Sequence, residues 1–293
     1  MFERVGRMPS GSTRGTTAAA LQLAPFIIFA VMFLLLPTSY LFIGAFQDHD
    51  GHFTFGTLAK LFTPSVLNAY TLSIQISAAS SILGALLGTA VAWAIKEGAL
   101  PNWARSAVTT LSGVTSNFAG VPLAFAFLAT LGRTGLVTAL LHTLGFDLYQ
   151  QGFSIYNVTG LTLTYLYFQL PLMVLVILPA IDGLKTEWYE ASAMLGATPL
   201  QHFLGVTLPI LAPSVLGAAL LLFANAFGAV ATAFALTSGS INLITILLFA
   251  QIRGDVLHDP NLGYALAFGM VVITGLCNLG YLWLRSVSER RSG

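Results

Sequence analysis

Few side chains in this 293-residue sequence could do chemistry, and their spacing favours contact over catalysis. His49 and His52 stand three apart beside Asp48 and Asp50, a spacing that can begin a metal site, but no further ligand cluster accompanies them and a solvated loop is the simpler reading. His142, His202 and His258 are scattered among loops and interfaces. Cys277 is alone, which excludes a disulfide framework and a cysteine-based metal cluster. A phosphate-binding loop needs Gly-Lys followed by Ser or Thr, and the three lysines here follow Ala59, Ile95 and Leu184. No apolar stretch holds a securely placed carboxylate or histidine of the kind that proton-coupled carriers and membrane proteases use. One polar-flanked segment remains, Glu190-Ala191-Ser192-Ala193-Met194-Leu195-Gly196, with Val206-Thr207-Leu208-Pro209 after a gap of nine residues.

The elements that must position this segment follow from its own residues. Residues 186–195 suit a short helix whose first turns carry Glu187 and Glu190, where carboxylates complement the positive helix terminus. Gly196 ends it. Pro199 is placed to start a second short helix, with Leu200, Phe203 and Leu204 on an apolar side, and Pro209 and Pro213 are expected to stop that helix. The product is a knob with a small-residue face at Ala191, Ser192 and Ala193, shaped to enter a groove in another protein. An ordinary surface hairpin with a glycine cap is the bland alternative.

The elements holding the knob span a bilayer. With 56% hydrophobic and 8% charged residues, and a mean hydropathy of +0.82, the chain is too apolar for a soluble domain, in which roughly a quarter of residues are charged. Charge-free stretches long enough to cross cover 15–47, 61–95, 106–132, 148–181, 191–252 and 260–284. Crossings are read at about 18–46, 67–95, 107–131, 155–181, 213–236 and 264–284; the first is too long for a cleaved signal peptide and is expected to stay. The apolar runs 136–144 and 241–252 are too short to cross and are expected to lie at the interface or re-enter, the latter after a turn at 237–240. Gly84 and Gly88 form a small-xxx-small pair that allows close helix approach.

Six crossings put both termini on one side. With that side cytoplasmic, nine of the twelve Lys and Arg lie inside and only Lys60, Arg133 and Arg253 outside, satisfying the positive-inside rule and placing Glu190 in the cytoplasm. The absence of a basic stripe argues against a nucleic-acid partner. The expected organisation is a cytoplasmic lead over 1–17, a transmembrane domain over 18–285 and a cytoplasmic tail over 286–293.

The segment resembles the cytoplasmic signature of bacterial ABC importer permeases: Glu-Ala-Ala, three residues, Gly, nine residues, then Ile-x-Leu-Pro. Ser192 replaces the second Ala and Val206 the Ile, and all the spacings are kept. The resemblance implies an all-α polytopic membrane protein, with six transmembrane helices of the type I ABC importer permease (MetI-like) fold and a cytoplasmic coupling segment at 186–209. It implies that Glu190, Ala191, Ser192, Leu195, Gly196, Ala197 and Pro199 meet the nucleotide-binding subunit. Two ATPase subunits carrying ATP and Mg, a second permease subunit and an extracytoplasmic solute-binding protein are the implied partners; a heterodimer is favoured, with a homodimer open. No cofactor is expected on this chain, and no catalysis.

Polar residues inside spans are candidates to line the pathway: Gln75, Gln169, Asn225 and Asn278, with Phe227 in a run of small residues between two phenylalanines. Each polar group could instead simply bond a neighbouring helix. Residues 223–232 and 242–263 look similar to permeases of the polyamine, phosphonate, ferric iron and sulfate importers, which suggests a small polar cargo, polyamine or phosphonate-like. The outer loops hold three basic and five acidic residues, too small an imbalance to indicate cargo charge. An ion-coupled secondary transporter is the alternative, expected to work without an ATPase.

Overall fold

In the computed structural model, residues 23–98, 101–253 and 259–292 are described, with side chains through 286. The lead at 1–17 and the first residues of the expected first crossing lie outside them. Six helical stretches are long and apolar enough to cross a membrane: Leu23–Ala45, Pro64–Glu97, Val121–Thr143, Val158–Asp182, Pro199–Phe227 and Pro260–Ser286. In chain order the helices are α1 (Leu23–Ala45), α2 (Pro64–Glu97), α3 (Asn102–Asn117), α4 (Val121–Leu131), α5 (Leu136–Thr143), α6 (Val158–Asp182), α7 (Thr186–Met194), α8 (Pro199–Phe227), α9 (Ala231–Thr237), α10 (Ile244–Arg253) and α11 (Pro260–Ser292). Among the described residues the only β pairing is an isolated bridge between Gln47 and Phe53.

The bundle is organised around α2, α6 and α8. Gly84 and Gly88 let α2 lie against α6: a Cβ at Gly88 would meet the Met173 Cβ at 2.5 Å and the Leu170 carbonyl at 2.8 Å. Below this contact Ala92, Ile95, Ile177, Ile181, Leu211 and Leu222 form one buried cluster, and Ile76, Leu161, Tyr165, Ala226 and Leu236 form part of another at the opposite end. α6 starts where the Asn157 carboxamide accepts the Gly160 N–H at 2.9 Å and runs unbroken through Pro171 and Pro179. α1 stays almost wholly exposed, as suits a helix bathed in lipid, and leans on α11 through Phe42 and Phe268, whose rings are 5.2 Å apart.

Two expected crossings are built differently. The stretch read as a single helix at 107–131 is α3 and α4 in series. Pro122 has no N–H to continue the ladder, and Gly120 adopts φ +76°, open to glycine. The pair follows α6 from end to end: Arg105 pairs with Asp182 at one end, and Leu123 and Ala124 pack with Ile155 and Leu161 at the other. At eight residues α5 is too short to cross alone, but α4 and α5 together make the apolar stretch Val121–Thr143, so the third crossing lies further along the chain than the expected 107–131.

The fifth crossing does not begin at 213. Pro209 and Pro213, expected to stop the preceding helix, are absorbed into α8, which is continuous from Pro199 because residues Phe203–Thr207 adopt a π-helical turn. The wider turn takes in the Gly205 carbonyl that the Pro209 ring and its missing donor would otherwise leave in conflict, while Pro213 sits inside the α-helix beyond it. The helix then ends at Phe227, short of the expected 236, and a gap at 228–230 separates it from α9. Ser238 (φ 49°) and Gly239 (φ 79°) form the expected turn, and α10 is the short apolar helix beyond it. α11 remains helical past 286 to Ser292.

Candidate functional site

At the Asp182 end of the bundle, Lys96 Nζ donates to the Ile181 carbonyl at 2.6 Å, holding the C-terminus of α6 where a cation suits the helix dipole. The chain then leaves the bundle as α7. Glu187 occupies its first turn, and the Lys185 ammonium lies over the Trp188 ring, 5.6 Å from its centre.

Gly196 terminates α7 with φ +79°, and two reverse bonds close the end: Gly196 N–H to the Ala193 carbonyl (2.9 Å) and Ala197 N–H to the Ser192 carbonyl (3.0 Å). This is the Schellman arrangement, which requires a left-handed residue where glycine stands. Two residues on, Thr198 caps α8 in a reciprocal box: Thr198 Oγ1 accepts the Gln201 N–H at 3.3 Å and Gln201 Oε1 accepts the Thr198 N–H at 2.8 Å, with Pro199 in the first turn. A helix, a glycine turn and a second helix are thus specified by short-range chemistry alone.

The tip of this hairpin is apolar and open. Met194 and Leu195 are each 88% exposed, and Leu200, Glu190, Ala191 and Pro199 are also exposed, while Ser192 and Ala197 are half-buried. The tip is thus a charge-poor apolar surface beyond the Asp182 end of α6. Met194 was not singled out by its sequence position, since a methionine in a helix reads as core until its exposure is seen.

The five pathway candidates separate. Gln169 is fully buried; its Nε2 donates to the Leu222 carbonyl (2.9 Å) and to Ser81 Oγ (3.2 Å), tying α6 to α8 and α2. Phe227 is buried too, with its ring 5.6 Å from Phe223 and 6.5 Å from Tyr70. Asn278 is exposed and donates to its own helix at the Thr274 carbonyl (3.0 Å). Gln75 and Asn225 are exposed.

The structure adds a pair of helix breaks to these candidates. The gap at 118–120 and the gap at 228–230 are tied together: Gly120 N–H donates to Thr232 Oγ1 at 2.7 Å, and the buried Tyr165 hydroxyl donates to the Ala229 carbonyl at 2.6 Å. Backbone freed from a helix inside a membrane needs such partners. Gly228 and Ala231 are exposed beside Asn225, so the broken stretch faces outward from this chain. Neither Tyr165 nor Thr232 stood out in sequence, because their partners are distant backbone groups.

At the opposite end, the Asp48 carboxylate accepts the N–H groups of Asp50 (3.0 Å) and His52 (2.9 Å), which makes it the organiser of its own loop. Among the described residues no group of three His, Cys, Asp or Glu is placed to hold a metal.

The family described as binding-protein-dependent transport system inner membrane component matches residues 84–293. This chain belongs to that family. It is a membrane-spanning permease subunit of an ABC importer, a transport component and not an enzyme, with ATP hydrolysis on a separate chain. The permease is 28% identical to the molybdenum transport system permease protein ModB of Mycobacterium tuberculosis over 224 residues, 76% of this chain and 81% of that protein. It is 25% identical to the sulfate transport system permease protein CysW of Synechocystis over 275 residues, 93% of each. A bacterial ABC transporter involved in the import of the acidic polysaccharide alginate shares its fold with a TM-score of 0.69 at 19% identity, covering 94% of this chain and 96% of that one. The MetNI methionine transporter follows at 0.51 and 14%, covering 77% and 99%. The names of the relatives carry molybdenum and sulfate, not the polyamine or phosphonate expected from the sequence, and the ion-coupled alternative is not favoured.

Proposed function

We propose that this permease forms half of the pathway of an importer for a tetrahedral oxyanion of the sulfate or molybdate class. Similarity to molybdenum and sulfate permeases over three quarters or more of the chain supports the cargo. A second permease subunit completes the pathway, favoured as a different gene product, with a second copy of this chain as the other arrangement. Two ATPase subunits with ATP and Mg sit one on the hairpin of each permease, and a solute-binding protein delivers cargo to the opposite face; this chain itself holds no cofactor. The Lys and Arg bias supports a cytoplasmic hairpin and cytoplasmic termini, and the family match supports the bacterial inner membrane as the bundle's location.

The observation that carries the reading is the exposed, glycine-turned hairpin with Met194 and Leu195 at its tip. ATP-driven closure of the ATPases would draw two such hairpins together and turn the pathway outward, a coupling that requires different contacts in the two states. Import by the complete transporter in proteoliposomes tests the cargo: ATP-dependent uptake of sulfate or molybdate is expected, and uptake of putrescine or a phosphonate in place of both oxyanions would overturn it.

A further inference from the structure

Ser192 is the position at which this chain departs from the Ala of the family pattern, and its hydroxyl is engaged. Ser192 Oγ lies 2.8 Å from His202 Nδ1, across the Gly196 turn, and 2.8 Å from the Tyr189 carbonyl one turn back. The Tyr189 ring meets the His202 imidazole edge-on, 5.2 Å between centres. Three residues from both arms of the hairpin thus meet at one point.

Proton accounting fixes the direction of these bonds. The Tyr189 carbonyl can only accept, so the single hydroxyl proton of Ser192 goes there, and Oγ must accept from His202 Nδ1–H. The network runs from Nδ1–H to Oγ and from Oγ–H to the carbonyl. Both neutral imidazole in this tautomer and the imidazolium carry the Nδ1 proton, so the bond is compatible with either charge state. Besides this bond, the turn is closed by the two Schellman bonds and the Thr198 capping box, all local to the loop.

We propose that His202 is a positioning residue for the coupling hairpin: by clasping Ser192 it fixes the angle between α7 and the start of α8, so that a push on the tip is transmitted into α8 rather than absorbed by flexing at Gly196. The proposal rests on the reading that the hairpin docks the ATPase. α8 is the right recipient, since it runs from Pro199 through the Gln169 contact at Leu222 to the break at 228–230. A loose hairpin would still dock, but hydrolysis would drive less movement per ATP.

The test uses the assembled transporter in proteoliposomes and measures ATP hydrolysed per cargo ion imported, with co-purification of the ATPase as a separate readout. His202→Asn places an amide N–H where Nδ1 stood, while His202→Gln places it at the Nε2 position. The Gln variant is expected to raise the ATP cost per ion about five-fold, the scale of one lost hydrogen bond, with docking intact, and Ser192→Ala, which restores the Ala of the family pattern, is expected to raise it as much. Their combination should be no worse than either, and the Asn variant should stay near the parent ratio. Parent-like coupling in both Ser192→Ala and His202→Gln would overturn the clasp, as would an Asn variant as poor as the Gln one. Glu190→Ala with Leu195→Asp serves as the control for the underlying reading: if that pair keeps both docking and import, the docking assignment itself fails, whatever His202 does.

Discussion

Gln169 Nε2 donates to the Leu222 carbonyl across a fully buried contact of 2.9 Å, and its Oε1 has no hydrogen-bond partner among the described residues. The amide is therefore half satisfied: its donor side joins three helices, while its acceptor side bears a desolvation cost. Gln169→Met, which keeps the volume and removes the orphan oxygen, is expected to cost less than about 1.5 kcal/mol. Gln169→Ala, which also opens a cavity, should cost about 2–4 kcal/mol. Thermal unfolding of the two purified variants checks the order; equal losses would contradict it.

Gly88 sits where α2 comes closest to α6. Gly88→Ala must push the Met173 Cβ and the Leu170 carbonyl aside, and backbone on that side gives little. A loss of about 1–3 kcal/mol is expected, against a near-neutral effect of Ala at Gly113, around which a Cβ would meet nothing within 4 Å. Melting curves of both variants in one detergent make the comparison.

Tyr165 holds the break in the fifth crossing by its hydroxyl. Tyr165→Phe keeps the ring and frees the Ala229 carbonyl. Initial import rates should fall several-fold, consistent with a loss of about 1 kcal/mol at the break, while ATPase docking is unchanged. Unchanged import would show that the bond does not matter to the pathway.

Lys60 Nζ and Asp259 Oδ2, 2.7 Å apart, join the start of α2 to the start of α11. Burial pushes the Asp259 carboxyl up, but the hydrogen bonds from Lys60 and the Leu262 N–H and the charges of Lys60 and His49 outweigh it, and the net shift is downward. A lowered folded-state value means stabilisation above the unfolded carboxylate value of about 3.9, lost as pH falls through the lower folded value. Asp259→Asn should therefore lower stability slightly at pH 7, by less than about 1 kcal/mol for so exposed a pair, and the gap in melting temperature should close in strong acid. A gap that widened on acidification would refute the sign.

The sequence made much of this legible because its strongest signals are local. Gly196, Thr198 and Pro199 encode the hairpin through turn and cap chemistry that acts within a few residues, and Gly84 and Gly88 announce a close helix contact. What stayed hidden depends on distance or on compensation. Pro209 and Pro213 read as stops because the π turn before Pro209 has no sequence mark of its own and Pro213 is carried inside a continuous helix. The breaks at 118–120 and 228–230 are stabilised by Thr232 and Tyr165, each far along the chain from the backbone it holds. That Gln169 and Phe227 are buried while Asn225 and Gln75 are exposed was not legible either, because polarity and neighbouring small residues do not say which way a helix faces.

The hairpin tip carries the central claim. Leu195→Asp places a charge on the 88%-exposed side chain of the α7 C-cap residue, which takes no part in the packing of the bundle. Titration of the purified ATPase onto the reconstituted permease is the direct measurement. Binding should weaken by at least an order of magnitude, as at other apolar contact centres, while the permease melts as before; parent-like ATPase affinity in Leu195→Asp would contradict the account.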